Sequence, residues 1–191
     1  LPEPPKHLES VILPKYWVSK KETFECLNTQ YHRNWFISFR DVTNATNERT
    51  SIFSVIPFSA VGNNLPLLFA EGASMIDICM FLGLTTSLPA DFVARQKLGG
   101  THMNFFLLKQ LPFRMDIDSD HIKRQITMSV LELTYTAYDM EPFAVDIWTE
   151  LYPDQATRPP LPEPFIWDEE RRFKIPDKRS EEHTSELQSH S

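Results

Sequence analysis

The stretch that most constrains this chain is residues 39–57, FRDVTNATNERTSIFSVIP. Two apolar runs flank a polar loop that carries two arginines and two asparagines. Residues 35–42 (WFISFRDV) have the period of a strand. Trp35, Ile37 and Phe39 alternate onto one face, and Phe36, Ser38, Arg40 and Val42 onto the other. Residues 50–56 form a second predicted strand, closed by Pro57. Ile52 and Ile56 face one way, Phe53 and Val55 the other, and apolar side chains on both faces predict a central strand. Between the strands, Asn44 and Asn47 suit turn positions, because asparagine tolerates left-handed backbone and bonds its own main chain.

The rest of the chain arranges itself around that pair. Residues 62–64 (GNN) predict a turn and residues 65–69 a short third strand. From Ser74 the period becomes helical: Met75, Ile78, Cys79 and Leu82 share a face, with Ser74 as N-cap. Leu88-Pro89 breaks that helix. A second follows over 90–98 and ends at Gly99-Gly100. Residues 101–108 predict a strand or a turn into a helix. The clearest helix spans 122–137, with a stripe of Ile122, Ile126, Val130, Leu133 and Ala137 and a cap at Ser119 or Asp120. Glu141-Pro142 opens a last helix to Tyr152, proline being tolerated in a first turn. Residues 20–30 carry a weaker helical period, with Phe24 and Leu27 as its buried side chains. Pro14 demotes the apolar run 11–18 to an edge or irregular segment.

Fifteen prolines stand against five glycines, and they gather at 2–5 and 159–164. They therefore mark boundaries. The expected organisation is a proline-rich lead-in over 1–10, one α+β domain over 11–157, a stiff linker and the start of an unfinished helical segment over 158–178, and an unpacked tail over 179–191. The fold class expected is α+β, a small mixed or antiparallel sheet with helices following it. The tail reads RSEEHTSELQSH over 179–190 and resembles the translation of a common sequencing-adapter oligonucleotide. With a first residue of Leu1, it points to a truncated sequence. Removing Arg179, Glu181, Glu182 and Glu186 takes one positive and three negative charges from the net -7 and leaves -5.

Composition excludes several functions. A net charge of -7 argues against a free-standing, non-specific nucleic-acid binder, though not against a local basic face. Two distant cysteines, Cys26 and Cys79, are too few for a disulfide framework or a zinc site and fit a reducing, cytoplasmic setting. The apolar run 75–84 is too short to cross a bilayer, so no membrane partner is expected. No glycine-rich turn follows a strand, and no P-loop or nucleophile elbow occurs. Asn63-Asn64-Leu65-Pro66 lacks the paired prolines and aromatic of an adenine-methyltransferase motif. The histidines are scattered without metal-ligand spacing. The chain is thus expected to hold no catalytic residue, cofactor or metal of its own.

Two groups of residues suit recognition. The first is Arg40, Asn44, Asn47 and Arg49. Arginine bonds guanine through two donors and asparagine bonds adenine, while lysine, threonine and backbone amides hold phosphates. The same residues also fit a turn with a structural salt bridge, for instance from Arg49 to Asp41 or Glu48. The second group lies in 95–109 (RQKLGGTHMNFFLLK), which holds the cations Arg95, Lys97 and Lys109 and no carboxylate. Its glycines would let backbone approach a phosphate closely. A solvated helix end followed by a turn would carry the same residues.

Four runs occur in order: RDVTNATNERTSIFSVIP, DFVARQKLGGTHMNFFLLKQLPF, VLELTYTAYDMEPFA and WDEERRF. Together they resemble the C-terminal portion of type IIG-like restriction–modification N6-adenine DNA methyltransferases and their phage-defence relatives, over about residues 11–173. The order of a helix, Arg95, Gln96 and Lys97 with glycines, Thr101, and an apolar segment ending in Leu111-Pro112 also resembles the close of target-recognition domains in type I specificity subunits. The resemblance implies a target-recognition-like α+β fold that reads double-stranded DNA for a methyltransferase domain lying upstream. S-adenosylmethionine and the Asn-Pro-Pro-aromatic motif would belong to that domain. The residues expected to touch DNA are Arg40, Asn44, Asn47, Arg49, Arg95, Lys97, Thr101, His102 and Lys109. The alternative is a docking module of the same kind of complex that touches no DNA and shows an exposed apolar patch without a basic groove.

Overall fold

The computed structural model describes residues 18–26, 31–113 and 116–165. The lead-in at 1–10, most of the run 11–18, Leu27, the segment 167–173 and the tail 179–191 lie outside the described residues.

The described residues form an α+β body with a three-stranded antiparallel sheet and six helices. In chain order these are α1 (Lys20–Cys26), β1 (Trp35–Phe39), β2 (Phe53–Pro57), β3 (Leu67–Leu68), α2 (Met75–Thr85), α3 (Leu88–Lys97), α4 (Phe105–Leu108), α5 (Asp120–Thr134) and α6 (Glu141–Leu151). A 3-10 turn at Tyr138–Met140 leads into α6. Local chemistry explains the boundaries. Ser74 accepts from the Asp77 amide at 3.0 Å and caps α2. Ser87 caps α3 with Pro89 in the first turn, and Pro142 occupies the same place in α6. Ser119 caps α5.

The strand order β2-β1-β3 makes β1 central. This corrects the expectation that residues 50–56 form the central strand. All five residues of β1 are buried, whereas β2 is an edge with Ser54 exposed. Both faces of β1 are covered. Trp35 and Ile37 meet the helices, and on the other face Phe36 packs among the rings of Tyr31, Phe58 and Phe69. In β2, Phe53 and Val55 turn inward while Ile56 is only half-buried.

Two apolar clusters share the sheet. In the larger, Trp35, Ile37 and Val55 meet Ile78, Cys79 and Leu82 of α2, Val130 and Leu131 of α5, and Phe143, Ala144 and Ile147 of α6. Phe143 sets its edge on the Trp35 ring, centroids 4.8 Å apart. In the smaller, Phe39 and Phe53 meet Ala94 and Leu98 around α3, then Met103, Leu108 and Leu111. Helix α2 lies against both α5 and α6. A Cβ built on Gly83 would stand 2.8 Å from Ile126 Cγ2, so that glycine lets α2 and α5 approach. Glu150 of α6 accepts from the Met75 and Ile76 amides at 2.6 and 3.1 Å, placing a carboxylate at the positive end of α2.

The stripe expected on α5 is displaced. Ile122 and Leu133 are exposed, and Thr127, Val130 and Leu131 are buried. At about 100° per residue the expected stripe covers about 80° of the helix, and the buried arc through Thr127, Val130 and Leu131 is centred about 90° further round, so the two overlap only at Val130. The helix also ends at Thr134, before Ala137. The expected linker departs from expectation over 158–165. Leu161 and Phe165 pack on the larger cluster, the Trp148 indole donates to Pro159 O at 2.7 Å, and the Phe165 amide donates to Tyr135 O at 2.8 Å. Proline lacks a donor but keeps a carbonyl, and here that carbonyl serves a buried indole.

Candidate nucleic-acid interface

The loop after β1 is closed on itself before it touches anything else. Asn44 Oδ1 accepts from the amide and the hydroxyl of Thr46, each at 2.8 Å, which is an Asx turn. The Thr43 hydroxyl donates to Thr50 O at 2.9 Å and the Thr50 hydroxyl to Asn44 O at 3.1 Å. The Asn47 amide donates to Asn44 O, and its side-chain nitrogen lies 3.5 Å from Thr43 Oγ1. Asn44 and Asn47 thus shape the loop with much of their polar capacity.

The closed loop is then fastened to α3 through Asp91. This carboxylate is buried, and its Oδ1 accepts from the Thr50 and Ser51 amides, both at 2.7 Å. Arg95, one turn later on α3, reaches Asp91 Oδ2 at 3.1 Å and also donates to Asn47 O and Glu48 O at 3.0 and 2.9 Å. Arg49 comes within 3.8 Å of Asp91 and donates to Thr86 O. Burial pushes the Asp91 carboxyl up. The Ser51 and Thr50 amides, Arg49 and Arg95 more than offset that, and the group lies below its ordinary value. Three hydrogen-bond donors and the Arg49 charge around one carboxylate satisfy the condition under which a buried charge is tolerated. The salt bridge expected from Arg49 to Asp41 or Glu48 is instead made to Asp91.

A second seam joins the loop to the segment after α3. The Thr43 amide donates to Thr101 O at 3.0 Å, and the Met103 amide to Asp41 O at 2.7 Å. Val42 and His102 form an antiparallel bridge, and His102 Nδ1 lies 2.8 Å from Asp41 Oδ2. The two sequence groups, some fifty residues apart, are therefore parts of one platform.

The nine candidate residues divide within it. Asn44, Asn47, Arg49 and Arg95 hold the loop. His102 is exposed but engaged with Asp41. Thr101 joins the seam through its carbonyl, and the residue is exposed. Arg40, Lys97 and Lys109 are exposed, and no ion pair among the described residues reaches them. These three do not converge on one point. Arg40 alternates with Phe39 and Asp41, so it leaves the opposite face of the strand line. Lys97 stands two residues beyond Arg95, about 200° around α3.

Of the two carboxylates that carry the platform, sequence reasoning missed Asp91 and offered Asp41 to Arg49, whereas Asp41 engages His102. The spacing of Asp91 and Arg95, four apart on a predicted helix, was the available signal. Burial, then the Glu150 charge, push the Cys79 thiol up to about 12 against a lowering contact with Thr127. Among the described residues no group of three or more His, Cys, Asp or Glu could hold a metal ion, and no single helix is long and apolar enough to cross a membrane. Comparison with family models, with curated proteins and with solved structures gave no match.

Proposed function

We propose that this chain is a DNA target-recognition module that serves a methyltransferase domain preceding it in a parent protein of the cytoplasm. The observation that supports this most is the joining of the two polar groups into one platform. Asp91 and the bridge between residues 42 and 102 hold it, and Arg40, Lys97 and Lys109 are left without a carboxylate. Such a platform needs internal arginines to fix a polar loop and separate cations to meet phosphates. Lys97, Lys109 and the Thr101 hydroxyl suit phosphate contacts, and Arg40 suits a guanine edge. S-adenosylmethionine and methyl transfer would belong to the preceding domain. A target-recognition-like topology is part of the same proposal.

The test is fluorescence anisotropy of a labelled duplex with the 191-residue chain and with Arg40→Ala/Lys97→Ala/Lys109→Ala. The triple variant should bind at least tenfold more weakly while its thermal transition stays in place. Equal affinity would remove the duplex assignment.

A second reading has its own observation. Leu88 and Phe92, one turn apart on α3, are exposed, as is Phe106 on α4. Exposed apolar side chains of this kind suit docking against another protein, in keeping with the net charge of -7. Absence of any duplex binding by a folded chain would favour it.

A further inference from the structure

We infer that the groove between the 61–69 segment and the start of α4 binds an unstacked nucleotide, a site that rests on the DNA reading above for its setting. The groove arises where one backbone gives way to another beside β1. Leu68 and Leu67 pair with Ile37 and Ser38, then Pro66 O accepts from the Phe39 amide and Asn64 O from the Asp41 amide. From Asp41 onward, Met103 and Thr101 occupy that side. The gap between the departing and the arriving segment is about 690 Å³.

Two aromatic rings line it. Phe69 and Phe105 are 48% and 45% exposed. Each is held by an edge contact to a buried ring of β1, Phe69 to Phe36 with centroids 6.0 Å apart and Phe105 to Phe39 at 5.3 Å. Rings fixed in this way offer stacking surface without a large cost of ordering on binding. The polar lining is Asn63, Asn104 and Asp41. Asn104 Oδ1 accepts from the Leu107 amide at 3.0 Å, which orients its carboxamide and leaves the nitrogen as a donor. Asn63 is exposed and adds a donor and an acceptor. Aromatic walls with carboxamides at the edge suit a planar base, which stacks on its faces and bonds along its rim.

The carboxylate of the lining, Asp41, is engaged by His102 at 2.8 Å and so does not stand free against a phosphate. Lys109 lies four residues after Phe105 and so on the same side of α4, exposed and without an ion pair among the described residues. A cation on that side of the short helix suits a phosphate attached to a base stacked on Phe105. An aliphatic side chain of a partner would fill the walls but leave both carboxamides and Lys109 without partners.

The experiment uses the 191-residue chain and three probes: a duplex with one unpaired 2-aminopurine, the same duplex fully paired, and 2-aminopurine riboside monophosphate. The unpaired base should be quenched on binding, and the bulged duplex should bind about tenfold tighter than the paired one. Phe69→Ala and Asn63→Ala, both at exposed positions, should abolish the quench and the gain while paired-duplex affinity holds. Equal binding of both duplexes without quenching overturns the groove and leaves the duplex reading standing. Quenching of the monophosphate with no binding of either duplex supports the groove, with a free nucleotide as its source, and removes the duplex reading. Quenching that persists in folded Phe69→Ala, or no binding of any probe, overturns the groove assignment.

Discussion

The two ends of β1 are held by different physics. At the Trp35 end, rings and branched side chains from α2, α5 and α6 close over the strand, and polar contacts such as the Trp35 indole to Asp146 at 2.8 Å only edge a large apolar cluster. At the Phe39 end the apolar cluster is smaller, and beyond it the chain becomes a polar loop whose buried Thr43, Thr50 and Ser51 need hydrogen-bond partners. There, hydrogen bonds to two carboxylates take over: Asp91 gathers two amides and two arginines, and Asp41 anchors the segment after α3. Cations at such a loop therefore have two possible uses. An arginine near a predicted turn is as useful for fastening the loop as for touching a ligand, and only its partners decide.

If the contrast is right, the apolar end should suffer most from a single truncation. Phe143→Ala removes a fully buried ring from the face of Trp35 and should lower unfolding free energy by about 4 kcal/mol in urea titration. A loss below about 2 kcal/mol would mean that this end collapses around the gap. Asp91→Ala comes next, at about 3 kcal/mol, because it strands two amides and two arginines. Arg49 and Arg95 are about a third exposed, so water recovers part of that loss. Asp91→Asn keeps an acceptor for the amides and should cost about half as much.

The polar end should also answer to acid pH through Asp91. Asp91 is held below its ordinary value, so between the two values the folded chain binds fewer protons than the unfolded one and stability rises with pH. Its contribution is full above about pH 4 and is lost as pH falls through the lower folded-state value. The gap between wild type and Asp91→Asn, measured by urea titration, should therefore shrink below about pH 4, and a gap constant from pH 7 to pH 3 would contradict this.

Much of the fold was legible because its signals are local. Ser74 and Pro142 announce helix starts within one turn, and Met75, Ile78, Cys79 and Leu82 share a face at short range, whereas Pro89 reads as a break and lies in the first turn of α3. The centrality of β1 was not legible, since Phe36 is buried by rings at residues 31, 58 and 69. Nor was the partner of Arg49, because the nearest carboxylates along the chain, Asp41 and Glu48, lose to one on another helix. Glu150 at the start of α2 is a third case, an α6 side chain acting where local sequence already offered Ser74.

A smaller change probes the packing of the apolar end. Gly83→Ala gains helix propensity but drives a methyl into Ile126 Cγ2, a β-branched atom with little freedom to move. The net should be a loss of about 1 kcal/mol, read as a lower transition temperature. Smallest of all, the triple change at Arg40, Lys97 and Lys109 should alter stability by less than about 0.5 kcal/mol, since none of the three holds the platform.

That same triple variant gives the most direct test of the division between fastening and free cations. Duplex affinity should be measured across salt concentration for wild type and for Arg40→Ala/Lys97→Ala/Lys109→Ala. If the three meet phosphates, the slope of log affinity against log salt should become shallower by about 0.9 for each phosphate that the variant no longer neutralises. Parallel lines of equal affinity would contradict that division and return the platform to a purely structural role.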